Sequence, residues 1–387
     1  MKQPGVVMLM RQFYPRTGGY QNQALRLACA LVKRNIAICV VTQRHGTLSP
    51  YEVYQQIPIH RVFAFSTGYL ASGSYLVSSF FWMVRNRHAF HIIHANRSSS
   101  GLVAGLVGFV LRKRVLYKLT RGDEIEAKGF RTTWLGRLKV ACLKRTVGKF
   151  VAITEEIEKS LKQIGIPTKQ LAKIANGITL EDFSQSYDKE QVKAEIGWSG
   201  ETTLVTFVGR LVPAKGVDWL FEVWQHVARQ HRQARLLIVG DGPERTALEA
   251  KVQELGIKDT VAFVGRQTDV FKFLAASDVF VLPSRQEGTS NALLEAMSQS
   301  LPVVVADDLL GGNRGVVNDQ QDGYVIKFGD SEAFVETLCK LLENAGLRQE
   351  MGRRARKKIE EQFSIESVAD RYCELYYELL GIQTQER

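Results

Sequence analysis

Short apolar runs of strand length alternate with amphipathic stretches along the chain. Gly5 to Met10 (GVVMLM) and Ile36 to Thr42 (IAICVVT) are continuous apolar runs bounded by turn residues, and they predict strands buried on both faces. Between them lie a loop with Pro15, Gly18 and Gly19 and then a predicted helix to about Lys33. The second half repeats the rhythm: TLVTFV ends at Gly209, LLIV at Gly240, VAFV at Gly265, and VFVLPS leads into a further helix. Alternation of this kind predicts parallel sheets covered by helices, in two Rossmann-like α/β domains facing one another. Ile365 to Leu380 closes the chain as an amphipathic helix.

A length of 387 residues exceeds one ordinary core and suits two domains of nearly 200 residues each. Asn176-Gly177 ends the first unit and the polar stretch Ser184 to Glu190 reads as a linker, so the expected segments are 1–183, 184–364 and a terminal helix in 365–387. The longest apolar run, Leu102 to Leu111, is ten residues and falls short of the ~18 of a membrane span. The amino terminus has too short an apolar core for a signal peptide, which predicts a cytoplasmic protein. Five cysteines without CxxC spacing read as small apolar residues in a reducing compartment, not as a disulfide frame.

The candidate chemistry gathers at strand ends. After VFVLPS, Glu287 occupies a loop, a helix is expected to open at Thr289 or Ser290, and Glu295 falls in its second turn. Orphan N–H groups at a helix N-terminus favour an anion, and Gly288 permits its close approach; Ser290 and Asn291 add donors or cap the helix. If all eight steps between the two carboxylates were helical they would stand about 12 Å apart, beyond the roughly 5 to 9.5 Å of a glycosidase pair. Separate hydrogen-bonding tasks on a polyhydroxyl ligand fit that spacing better. The alternative is a plain strand, turn and surface helix with solvated glutamates. Upstream, Arg210 and Lys215 lie in a loop punctuated by Gly209, Pro213 and Gly216 at a strand's C-terminal edge, where two cations can neutralise a diphosphate or simply solvate a loop.

The ordered set Gly209-Arg210, Lys215, Gly240-Asp241-Gly242-Pro243, Gly265-Arg266 and Glu287-x7-Glu295 resembles the donor-binding half of family 4 retaining glycosyltransferases of the GT-B fold. The resemblance implies that Arg210 and Lys215 bind a donor diphosphate, Glu287 contacts the transferred sugar and Glu295 the ribose. It assigns backbone around Gly288, Thr289, Ser290 and Asn291 to the sugar or distal phosphate, and backbone at Gly265 and Arg266 to the base. Gly19 belongs to a loop similar to the family's glycine-rich loop at the cleft, and the terminal helix is similar to one that crosses back to the first domain. The implied activity is transfer of a hexose-type sugar from a nucleotide-diphosphate sugar to an acceptor hydroxyl in polysaccharide, lipopolysaccharide or glycolipid assembly. The alternatives are a nucleotide-sugar epimerase or hydrolase of the same fold, or a non-catalytic partner of a transferase. No D-x-D metal motif is present, so no metal or other cofactor is expected, and Arg210, Lys215 and the helix N-terminus are expected to stabilise the leaving diphosphate.

Charge is uneven: residues 1–180 hold 27 Lys+Arg and 7 Asp+Glu, residues 181–387 hold 24 and 33. The basic half lacks any recognition-helix or RNA-binding signature, which turns the expectation from nucleic acid towards an anionic membrane face or a glycan or lipid-linked acceptor. Helical spacing across Arg131 to Lys149, with Trp134 and Leu138 among its apolar positions, suits either a helix resting on a bilayer or one facing the core. The aromatic stretch Tyr69 to Arg87 reads as core or as a membrane or acceptor surface, with core favoured. His91 and His94 are three apart on a strand and face opposite sides, against a shared metal; His94 is expected instead at a strand end lining the cleft. Arg121-Gly122-Asp123 stands where many family members carry His-Gly or His-Asp, which makes Arg121 and Asp123 candidates for the acceptor side.

Overall fold

The computed structural model describes residues 3–382 except 16–17, 66–67, 97, 121–132, 181–186, 199 and 310, and leaves aside the side chains of 68–71, 98–100 and 135. The chain forms two compact units, Met1–Gly177 with Ile365–Arg387, and Ile178–Ser364.

In the first unit the described residues form an eight-stranded sheet from β1 (Gly5–Leu9), β2 (Ala37–Gln43), β3 (Tyr51–Tyr54), β4 (Ile57–Val62), β5 (Ile92–Asn96), β6 (Arg114–Leu119), β7 (Lys149–Ala152) and β8 (Leu171–Lys173). Its order is β3-β4-β2-β1-β5-β6-β7-β8, parallel apart from the β3–β4 hairpin. Strand side chains alternate between faces, so one apolar run feeds two cores. Val6 and Met8 pack with Leu27 and Leu31 of helix 19–32 and with Tyr372 and Tyr376 of helix 365–380. Val7 and Leu9 face the other way, onto Tyr75, Val107 and Leu143 of helices 68–85, 98–110 and 134–146.

The terminal helix is thus part of the first unit's core. Arg34 binds Asp370 through both carboxylate oxygens, Lys149 pairs with Glu378 at 2.7 Å, and a Cβ on Gly148 would lie 2.5 Å from Leu379. The aromatic stretch is divided: Tyr75 and Met83 are buried, Phe80 and Trp82 half-buried, and Phe81 exposed. Helix 134–146 starts from a Thr133 cap that accepts from the Gly136 N–H, and it turns Val140 and Leu143 inward while leaving Trp134 and Leu138 outside.

The second unit is built on β9 (Thr203–Val208), β10 (Ala234–Val239), β11 (Val261–Gly265), β12 (Val279–Leu282), β13 (Val303–Asp307) and β14 (Tyr324–Lys327). These strands are parallel and ordered β11-β10-β9-β12-β13-β14. The order reverses direction between β9 and β12. At such a switch point the following loops diverge to opposite faces of the sheet and leave a crevice at the strands' C-terminal ends.

Candidate active site

The loops after β9 and β12 carry the two sequence-predicted groups, and the structure brings them together. Lys215, in the 3-10 turn Pro213–Lys215, donates from Nζ to Glu287 Oε1, which also accepts from Ser284 Oγ at 2.8 Å. Glu287 is 8% exposed, so its carboxylate is oriented by fixed donors within protein, not by water. Gly216 then takes a left-handed φ of 65°, and a Cβ there would lie 2.2 Å from the Pro283 carbonyl oxygen, so glycine is required for the β9 loop to lie against the β12 loop.

Arg285 fastens the same two loops. Its N–H donates to Ala214 O, its Nη1 to Pro213 O at 2.6 Å and its Nη2 to Asp218 at 2.9 Å, while its guanidinium lies over the Phe328 ring. A third loop, after β13, completes the support. Buried Asp308 accepts from the backbone N–H of Glu287 at 3.1 Å, of Gly312 at 3.4 Å and of Asn313 at 2.9 Å. Gly312 comes so near that a Cβ would lie 1.8 Å from the Gly288 carbonyl oxygen. Sequence reasoning missed Ser284, Arg285, Asp308 and Gly312; the available signal was that Asp307-Asp308 closes an apolar run at another strand's C-terminal end.

Helix 291–298 opens at Ser290, whose backbone is extended and whose side chain makes no capping hydrogen bond. The first turn's N–H groups keep the partial positive charge that attracts an anion. Thr289 and Ser290 are buried, and Glu295 is half-buried in the second turn with a partner of its own. Because Glu287 sits in a loop, all-helical spacing between the two glutamates does not apply. Three strand-end glycines lie side by side on the other flank: Gly209 N–H donates to Val239 O, Gly240 N–H to Gly265 O, and a Cβ on Gly240 would sit 1.8 Å from Gly209 O. Arg210 and Arg266 are exposed just beyond these glycines. Two cations, a carboxylate held in place and a helix N-terminus therefore share one end of one sheet, an arrangement fit for a phosphate next to hydroxyl groups. Among the described residues no group of three or more His, Cys, Asp or Glu is placed to hold a metal ion.

The first unit has its own order reversal, between β1 and β5, and the loop after β1 leads to Gly19 at the start of helix 19–32. His94 corrects the sequence expectation. Its side chain points into the core, fully buried, with Nδ1 2.7 Å from the Tyr376 hydroxyl and its ring stacked on Tyr372. The residue is on β5 where an inward position was available, and the returning helix covers that face. Burial, assisted by Lys118, pushes the imidazole down to about 3. Lys118 is itself buried, which lowers its ammonium to about 8, and its Nζ reaches Asn176 at 3.3 Å. Arg121 and Asp123 lie outside the described residues.

Two family models match the chain, one described as glycosyltransferase family 4 over residues 17–182 and one as glycosyl transferases group 1 over residues 188–358. An Escherichia coli UDP-Gal:alpha-D-GlcNAc-diphosphoundecaprenol alpha-1,3-galactosyltransferase is 26% identical over 76% of this chain and 77% of its own length. A Bacillus anthracis N-acetyl-alpha-D-glucosaminyl L-malate synthase is 25% identical over 95% and 96%. Among solved structures, Anabaena HepE in complex with UDP superposes with a TM-score of 0.79 at 19% identity, covering 96% of this chain and 99% of that one. Sucrose-phosphate synthase from Thermosynechococcus elongatus gives 0.79 at 20% identity, over 98% and 100%.

Proposed function

The chain belongs to the family 4 glycosyltransferases of the GT-B fold, and from that premise we propose that it moves a hexose-type sugar from a nucleotide-diphosphate sugar to an acceptor hydroxyl with retention at the anomeric carbon. The observation that carries the proposal is Glu287 fixed between Lys215 and Ser284 beside the N-terminus of helix 291–298. As the bond from sugar to phosphate breaks, negative charge grows on the diphosphate. Lys215, Arg210 and the N–H groups of the helix start can meet that charge in place, without reorganisation at the moment of reaction. Two cations and a helix end supply positive potential for the leaving group, and this reading invokes no divalent ion. Glu287, a hydrogen-bond acceptor held by fixed donors, orients the sugar hydroxyls, and orientation with leaving-group stabilisation supplies the rate. Glu295 in the second turn suits the ribose, and the backbone at Gly265 and Arg266 the base.

UDP is the first nucleotide to try, because the E. coli relative is named for UDP-Gal and the Anabaena structure for UDP. A glycan or lipid-linked glycan is the proposed acceptor, in keeping with the diphosphoundecaprenol in that relative's name. A thermal-shift panel of UDP, GDP, ADP and TDP, with and without EDTA, tests the donor half. One nucleotide at 100 times its Kd stabilises the fold by about 2.7 kcal/mol. The expected result is a shift that EDTA leaves intact and Lys215→Ala removes. A shift lost in EDTA would overturn the metal-free reading, and no shift from any nucleotide would overturn the donor site.

A further inference from the structure

Helices 68–85, 98–110 and 134–146 lie side by side against one face of the first unit's sheet. A helix layer that ends at water ordinarily turns charged and polar side chains outward. Here each of the three helices also turns large apolar side chains outward. Val77 and Phe81 are one turn apart on the first, Phe109 and Val110 end the second, and Trp134 and Leu138 are one turn apart on the third; Phe81, Phe109 and Trp134 are 66%, 71% and 73% exposed. Among the described residues the other face of the sheet has no such surplus, because helix 365–380 packs beside helix 19–32 there.

The charge on these three helices has one sign, whereas helix 155–163 on the same face of the sheet carries Glu155, Glu156 and Glu158. No Asp or Glu occurs between Glu52 and Asp123 or between Glu126 and Glu155, and those two intervals contain all three helices. Arg85, Arg112, Arg137, Lys139 and Arg145 are exposed on the helices or directly after them. Scattered cations around exposed tryptophan, phenylalanine and aliphatic side chains match the boundary between lipid headgroups and acyl chains, where rings and aliphatic groups enter the hydrocarbon edge and ammonium or guanidinium groups meet phosphate. Among the described residues no helix is long and apolar enough to cross a membrane, so attachment of this kind would be to the surface.

We propose that this three-helix face seats the protein on an anionic lipid bilayer. The proposal rests on the first unit alone and stands apart from the donor chemistry assigned to the second. It is tested with the full chain by flotation with vesicles of phosphatidylcholine, with and without phosphatidylglycerol. The expected result is binding only to the anionic vesicles, weakened by salt, and weakened about fivefold for each cation removed in Arg137→Ser with Lys139→Ser. Phe109→Ser with Trp134→Ser also releases the protein. Brominated lipid quenches tryptophan fluorescence in the native chain and loses most of that effect in Trp134→Phe. All three variants keep the nucleotide-induced thermal shift, which reports the second unit separately. A native protein that ignores anionic vesicles, or a double variant that binds them as the native chain does, would overturn the proposal. So would variants that dissolve a self-associated species or release an acidic protein partner while lipid binding stays unchanged.

Discussion

The Lys215–Glu287 contact has a kinetic consequence at the level of single side chains. In the structure the lysine is already engaged by the glutamate, so under the proposed function an incoming diphosphate would compete with a carboxylate for the same ammonium. Glu287→Gln removes that competitor while keeping the shape. We expect it to bind the nucleotide diphosphate at least as tightly as the native chain and to lose about 100-fold or more in kcat, because a neutral amide orients the sugar poorly. Parallel loss of nucleotide affinity and kcat would show that Glu287 serves the phosphates and not the sugar. His94 supplies a stability prediction. Its folded pKa of about 3 lies below the unfolded value near 6.5, so the unfolded chain takes up the proton first as pH falls. The stabilisation is whole above about pH 6.5 and is lost progressively towards pH 3; from pH 7 to pH 5 the loss is about 2 kcal/mol. Denaturant titrations of the native chain should show that slope, and His94→Gln should flatten it. Residue type and strand-end position made Lys215 and Glu287 legible in the sequence. The same logic misplaced His94, because inward and outward positions near a strand end look alike until the element covering them is known.

Loops after β9, β12 and β13 behave as one assembly, and glycine tests this at the scale of elements. A Cβ at Gly312 would press into the Gly288 carbonyl, a backbone atom that cannot swing aside, whereas at Gly315 the nearest atom is 3.5 Å away. Gly312→Ala should lower the melting temperature by several degrees and impair transfer, with Gly315→Ala close to the native chain in both. Asp308→Asn replaces one acceptor oxygen with an NH2 group facing backbone N–H donors. We expect a cost of about 2–3 kcal/mol and a slower enzyme, measured by denaturant midpoint and initial rate. The strand, loop and helix sequence after β1 and after β12 follows from apolar runs and glycine punctuation and was legible. The abutment of the third loop on the second was not, because Gly312 and Gly288 are brought together by sheet order, which local pattern does not encode.

On the scale of the whole molecule, the two units differ in how the chain builds them. Residues 178–364 are continuous and contain every donor-side candidate except Gly19, whereas the first unit needs both ends of the chain. Expressed alone, 178–364 should fold and retain a nucleotide-induced thermal shift. A chain ending at Ser364 should leave the first unit unfolded, since Ile365, Val368, Tyr372 and Tyr376 each contribute roughly 1.5–3 kcal/mol of burial against a total stability of about 5–15 kcal/mol. Protease-resistant fragments of both truncated chains decide this. The amphipathic pattern of Ile365 to Leu380 announced a helix, and the family resemblance said where it returns; the pattern itself names no partner.

That return inverts the order of completion during synthesis. The first unit leaves the ribosome early, but its last helix follows 187 further residues, a delay of roughly 10–40 s at ordinary elongation rates. Meanwhile the sheet face that helix will cover, with Ile92 and Leu116, stays open to solvent. The second unit, begun later, is whole first, and a nascent chain stalled near its end would carry a finished second unit and a first unit whose core is still unclosed.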